Sequence, residues 1–517
     1  MKFVRSFLGI CFLFVSLGWI WGCYEKGSRE EKFFAYSFGE SEVYILHTND
    51  MHGQVRPLVF RRGDRRELFG GWEYLYSCIR RFRREHSSGG EVVFLVDGGD
   101  IFQGTPEGNL TRGRMMVDLM NLAGYDAVAL GNHEFDYGQG VVESLDRVAD
   151  FPFVCANIFK KESDSRPFYA RPYVILERRG IRVAFLGWIT PMVPILVQRS
   201  GIEGLRFSSD FSILQRLVDE VRRRGVHLVV LLSHSGYRAD VELARRVSGI
   251  DVIIGGHSHT LLRRSRMVGK TVIVQVGSRG RYLGRVRFSL RGGRVVERDY
   301  SVFSITPKWG KSSEVRELVE RYSPEIEKVM SAYVGESRVF LSRRSERGSS
   351  ILGNFLCDAM RELAGVEVAF QNRFGIRADL PKGRITFREV YQVAPFDNTL
   401  VVMELTGEQI LRILSRSLHQ RACLDVSGLV CYYRSSSRGR GGNRITRVYI
   451  QGKPLERRRL YRVVTNSFVA EGGDGYRTFR EGRNRRNTYL DHREALRRYI
   501  RKRSPIEYKF EQRFREE

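Results

Sequence analysis

The sequence predicts an α/β fold in two domains, and three observations carry that prediction. From residue 43 to about residue 303, short Val/Ile/Leu runs of strand length alternate with amphipathic stretches, the pattern of buried sheets flanked by helices. Five of the runs end in short loops of carboxylate, amide and imidazole side chains: Asp50-Met51-His52, Gly98-Gly99-Asp100, Gly131-Asn132-His133-Glu134, His234, and His257-Ser258-His259. At 517 residues the chain exceeds what one hydrophobic core ordinarily supports. Its 42% hydrophobic and 12% aromatic content is that of a packed globular protein.

Taken in order, the chain opens with Lys2 and Arg5 ahead of an apolar run over 7–21, the layout of a signal peptide and too short for a comfortable membrane span. The run ends Ile20-Trp21-Gly22-Cys23, which resembles a bacterial lipobox. Residues 1–23 are therefore expected to be a signal/lipoprotein peptide. Export to the periplasm or cell surface follows, with the protein anchored to the membrane through Cys23. Trp21 is bulkier than the residue usual there, which leaves ordinary signal-peptidase cleavage and an uncleaved anchor as alternatives.

Strands are expected at 43–46, 92–96, 127–130, 153–156, 182–186, 228–232, 252–254 and 271–276, with helices at 212–224 and 238–247. These make an α/β sandwich spanning 41–305. A charged helical pattern at 314–334 shows little hydrophobic face and reads as a connector within a linker at 306–336. A second α/β domain is expected over 337–510, with a flexible loop of Ser, Arg and Gly at 435–443. The charged tail after Ile500 reads as loosely ordered. Of the seven cysteines none has CxxC spacing, so a zinc–thiolate site is not expected. Cys423 and Cys431 either bridge a hairpin or serve as buried small hydrophobes.

The net charge is +27, mostly from arginine spread along the whole chain. A basic field favours anionic partners, but so even a distribution reads as a solvated surface, and no specific nucleic-acid partner is expected.

Mixed Asp, Asn and His side chains suit borderline divalent ions. Two such ions sharing one carboxylate can activate water and clamp an in-line displacement. Each of the five loops follows a strand, so the ligands are expected to converge at the carboxyl ends of the sheets. Five of the ten histidines fall in these loops. Any one alone would read as a satisfied polar histidine, but the set does not.

The order D-x-H, G-G-D, G-N-H-E-F-D, S-H, G-G-H-S-H resembles the calcineurin-like metallophosphoesterases. More closely, Leu46–Gly53 (LHTNDMHG) and Gly131–Asp136 (GNHEFD) resemble the secreted 5′-nucleotidase / UDP-sugar hydrolase family. The resemblance implies a four-layer α/β/β/α sandwich followed by an α/β substrate-binding domain. It implies two divalent ions (Zn, Mn, Co or Mg), one held by Asp50, His52, Asp100 and His259, the other by Asp100, Asn132, His234 and His257. Some family members have Gln where this chain has His259. His133 and Asp136 match the family's catalytic dyad, with Asp136 fixing the tautomer of His133. Asp97 reads as a loop-capping neighbour of the site, and His47 as structural.

In the second domain, Gln371–Arg377 (QNRFGIR) resembles the family's N-G-G-G-I-R loop, with Arg373 and Phe374 in place of two glycines. Ala394-Pro395-Phe396 and Asn466–Tyr476 match further family strings. The resemblance implies that Phe396 and Phe468 sandwich the nucleobase and Asp474 binds the ribose hydroxyls, with Asn372 and Arg377 contacting base or phosphate. Stacking accepts any base face, and a carboxylate reads a diol by paired hydrogen bonds. Losing glycines at 373 and 374 bears on base selectivity, because glycine permits close backbone approach. The expected function is removal of phosphate from nucleotides by attack of a metal-bound hydroxide on phosphorus. Within the class the rivals are UDP-sugar or nucleoside-diphosphate hydrolysis and 2′,3′-cyclic-nucleotide phosphodiesterase/3′-nucleotidase activity. Outside it stands a non-catalytic nucleotide-binding surface lipoprotein.

Overall fold

The computed structural model describes residues 40–62, 65–86, 90–197, 199–346, 348–419, 423–435 and 443–517. The leader with Cys23 and most of the 435–443 loop lie outside the described residues. Two six-stranded sheets build the first half. One runs Arg294–Ser304, Tyr282–Arg291, Ser41–Thr48, Val92–Asp97, Ala127–Ala129, Phe153–Val154. The other runs Arg266–Val268, Thr271–Val274, Val252–Gly255, Leu228–His234, Ile181–Ile189, Tyr173–Arg178. Four consecutive strands in each sheet are parallel. Parallel strands end on the same edge, which is why loops far apart in sequence meet.

The sheets pack face to face, as where Phe94 meets Phe185 with ring centroids 5.3 Å apart. Helices Trp72–Glu85 and Arg114–Ala123 bury their apolar stripes on the first sheet, and Ser212–Arg223 and Tyr237–Arg246 on the second. The result is the four-layer α/β/β/α sandwich. The second half is a five-stranded sheet with cores on both faces, in the order Leu424–Ser427, Val368–Asn372, Leu460–Asn466, Thr399–Thr406, Arg483–Asp491. Helices Ile351–Ala364 and Gly407–His419 cover its two faces. Among the described residues no helix is long and apolar enough to cross a membrane.

Two expectations are corrected. The connector, Ser313–Met330, does have apolar contacts: Val315 and Leu318 enter the first core, while Ile326 and Met330 pack with Tyr391 of the second half. Its apolar positions are split between two partners, so no continuous stripe shows. The tail is ordered: Phe514–Glu516 pairs in parallel with Leu429–Arg434, and buried Arg513 donates to Asp358 at 2.9 Å and to the Val426 carbonyl at 2.7 Å. Cys423 and Cys431 are not bridged, and Cys431 is buried in the second core.

Candidate functional site

At the ends of Ser41–Thr48, Val92–Asp97 and Val252–Gly255 the chain turns through backbone that most residues avoid. Asp50, His52, Asp100, His257 and His259 have φ of 52°, 50°, 59°, 70° and 51°. Five of the seven candidate ligands thus lie in the left-handed region. Such strain persists where the surroundings over-determine it. Here the loops lace together: the amides of Asp50, His52 and Gly53 donate to the carbonyls of Gly99, Asp100 and Ile101 at 2.9, 3.0 and 2.9 Å.

This lacing brings ligand atoms together in three overlapping groups: Asp50/His52/His259, His52/Asp100/His133 and Asp100/His234/His257, each within 4.8 Å. His234 Nε2 lies 3.0 Å from Asp100 Oδ2, His259 Nε2 lies 3.4 Å from Asp50 Oδ1, and His257 Nδ1 lies 2.9 Å from Asn132 Oδ1. All seven candidate ligands therefore meet in one place.

The donor set fits divalent cations. His52 Nδ1 and His234 Nδ1 each lie 2.8 Å from a carbonyl, of Gln103 and of Gly98. A carbonyl only accepts, so each Nδ1 carries a proton and each Nε2 faces the centre. His234 Nε2 is buried 3.0 Å from Asp100 Oδ2, a basic nitrogen set beside an anion. Burial lowers the His234 imidazole, but Asp100 more than offsets it, raising it to about 10: the position favours positive charge. Burial, then His234, pushes His257 down to about 4, and burial, then His259, holds His52 well below the usual range. Neutral imidazole is the form that ligates.

His133 sits beside this cluster, its amide donating to Asp100 Oδ1 at 2.9 Å and its Nε2 4.0 Å from Asp100 Oδ2. Its Nδ1 donates to Asp136 Oδ2 at 2.7 Å. Burial works against the charged imidazole, but Asp136 and Asp100 raise its pKa overall. Asp97 caps its loop, accepting from the Gly99 amide at 2.7 Å and Thr48 Oγ1 at 2.6 Å. His47 is buried, packed against Gly284, with neither ring nitrogen hydrogen-bonded among the described residues.

From the second half, Arg377 Nη2 comes within 3.5 Å of His52 Nε2, and its guanidinium lies 5.8 Å from the Phe396 ring. Phe396 in turn lies 5.8 Å from the His133 ring. Asn372 Nδ2 donates to Asp474 Oδ2 at 2.7 Å. Phe468 lies against Gly473 and lines a cavity of about 200 Å³ with Pro194, Ile195 and Val197 of the first half. Arg377 and Phe396 are thus drawn to the candidate ligands, Asn372 and Asp474 to each other, and Phe468 to a cleft lined by the first half.

Two residues escaped the sequence reading. Glu134, buried, accepts from the amides of Asp100, Ile101 and Gly131 at 3.0, 2.8 and 2.6 Å, fixing two of the ligand loops at once. Burial and the Asp100 charge push its carboxyl up to about 7. It stands inside the Gly131–Asp136 string, which could have marked it. Arg279 donates its amide to the Asp50 carbonyl at 2.7 Å and its Nη2 to the Arg377 carbonyl at 3.0 Å. Nothing in Gly277–Gly280 signalled that role.

Among known families, residues 43–261 match the calcineurin-like phosphoesterase model and residues 329–481 the 5′-nucleotidase C-terminal domain model. The chain is similar to the snake venom 5′-nucleotidase of Gloydius brevicauda, 30% identical over 492 residues covering 85% of this chain and 82% of that protein. It is also similar to the trifunctional nucleotide phosphoesterase protein YfkN of Bacillus subtilis, 31% identical over 495 residues; these cover 85% of this chain but only 32% of that protein's length. Among solved structures, a 5′-nucleotidase precursor from Thermus thermophilus matches with a TM-score of 0.84 at 31% identity, covering 92% of this chain and 99% of that one.

Proposed function

The chain belongs to the 5′-nucleotidase family of calcineurin-like phosphoesterases and is a phosphoric ester hydrolase, and on that premise we propose that it removes phosphate from nucleotides. The observation that carries the reading is the meeting of seven candidate ligands with Arg377 and Phe396 from the other half. Asp50, His52, Asp100 and His259 would hold one divalent ion, and Asp100, Asn132, His234 and His257 the other. Such a pair supplies Lewis acidity, making a nucleophile from water and screening phosphoryl charge.

The chain's own groups do the rest. Asp136 keeps the His133 Nδ1 proton in place, so that Nε2 faces the reacting phosphoryl group or leaving oxygen and stabilises charge there. Arg377 adds a cation for the phosphate oxygens. Phe396 and Phe468 are assigned to the base, and Asp474, oriented by Asn372, to the ribose diol. The leader over 1–23 supports export with a lipid anchor at Cys23. Phosphate release from a nucleotide panel, assayed with added Mn, Co or Zn, tests the proposal; no release from any nucleoside 5′-monophosphate would sink it. A broader phosphoesterase is the second reading, favoured by the similarity to a protein named trifunctional.

A further inference from the structure

We infer that Asn109 is a positioning residue that sets the distance between the candidate base platform Phe396 and the metal-ligand loops; the inference rests on the nucleotide reading above. Asn109 lies in the short helix Pro106–Leu110 and is buried. Its Oδ1 accepts from the Gly104 amide and its Nδ2 donates to the Pro395 carbonyl, both at 2.9 Å. An amide nitrogen only donates and a carbonyl only accepts, so these two backbone partners fix the orientation of the side chain without choice. Each end touches something that matters. Gly104 follows Gln103, whose carbonyl accepts from His52 Nδ1 at 2.8 Å. Pro395 precedes Phe396, and the planar peptide between them ties the held carbonyl to the Phe396 amide.

One turn of the same helix adds charge to the contact. Glu107, buried, pairs with Arg388 of the second half at 2.8 Å and with Arg56 at 3.2 Å. Arg388 also reaches Glu327 of the connector at 2.9 Å. The Pro395 carbonyl takes a second donor from its own half, Arg493 Nη1 at 3.4 Å. Among the described residues, Asn109 thus joins the loop orienting His52 directly to the residue that carries Phe396. A platform of this kind meets the nucleoside and not the ester, so a substrate without a nucleoside should not feel its displacement.

Asn109→Asp is the informative variant. It keeps the acceptor for the Gly104 amide and the side-chain volume, but sets a carboxylate against the Pro395 carbonyl. The full chain, loaded with Mn, is assayed on a nucleoside 5′-monophosphate and on p-nitrophenyl phosphate, which has no nucleoside to position. The inference expects KM for the nucleotide to rise about tenfold with kcat within threefold, and kcat/KM for the aryl phosphate to stay within threefold. Hydrogen exchange in the peptide 391–398 should quicken about tenfold. An equal loss on both substrates would make Asn109 a mere support of the metal loops, and an unchanged nucleotide KM would remove its role altogether; either overturns the inference. If the wild-type chain hydrolyses the aryl phosphate but no nucleotide, the nucleotide reading fails instead, and exchange alone decides: an unchanged rate in 391–398 refutes the positioning role. Should Asn109→Asp not fold, Asn109→Ala carries the same comparison.

Discussion

The two halves of the site are built by different means. On the metal side, seven chemically distinctive side chains are fired from the ends of parallel strands, five of them through left-handed backbone. On the proposed substrate side the residues are ordinary: Asn372 oriented against Asp474, a half-buried Phe396, and an arginine reaching across to His52. The metal side spends backbone strain to gain convergence, whereas the substrate side relies on contacts between the halves. On the proposed reading, the difference teaches that ligation is set within one domain, and substrate fit by how two domains meet.

The largest effect should come from Asp100, the carboxylate shared by two of the candidate ligand groups. Asp100→Ala is expected to lower kcat/KM by at least about 10³-fold, on the order of 4 kcal/mol, and to cut bound metal as read by atomic emission. A variant that kept its metal and activity would break the metal half of the comparison. Next, His133→Ala should cost about 10²–10³-fold in kcat while metal content stays at the wild-type level. Loss of metal in that variant would move His133 from the chemistry to the ligand set.

A smaller and more selective effect is expected on the other side. Phe396→Ala should raise KM for nucleotides roughly tenfold, in keeping with stacking worth about 1–3 kcal/mol per base, and spare p-nitrophenyl phosphate. An equal loss on both substrates would mean that Phe396 chiefly supports His133, whose ring it faces at 5.8 Å.

That contrast also decides what was legible in the sequence. The candidate-ligand loops stood out as a set and not singly, because five strand ends in order carried Asp, Asn or His, and the parallel strands bring those ends to one edge. Asp97 reads as a loop cap or a neighbour of the site because Gly-Gly-Asp followed by Phe102–Thr105 favours Asp100 as the ligand. Glu134 was in view but silent: spacing does not say that a carboxylate folds back onto three amides. Arg279 and Asn109 were invisible, because each acts through a backbone atom brought near only by the tertiary fold. The connector helix misled for a related reason, since its apolar positions serve two cores.

Arg373 tests where the substrate half ends, and with the smallest expected effect on activity. It replaces a family glycine in the loop next to Asn372, a position where bulk would alter base selectivity if the side chain faced the ligand. In the structure it turns the other way: Nε pairs with the buried Asp425 carboxylate at 3.2 Å, and Nη2 donates to the Gly348 carbonyl. Asp425 also accepts from the Ser350 amide at 3.0 Å and hydroxyl at 3.1 Å, so it would keep two donors without the arginine. Restoring the glycine should therefore cost stability, about 2–4 kcal/mol for stripping a cation from a buried anion, measured by urea unfolding of the second half. The ratio of kcat/KM for purine over pyrimidine nucleotides should stay within about twofold, because a side chain committed to Asp425 does not touch the base. A tenfold change in that ratio at unchanged stability would put Arg373 in base recognition, and would carry the substrate half of the site one residue further from the metals.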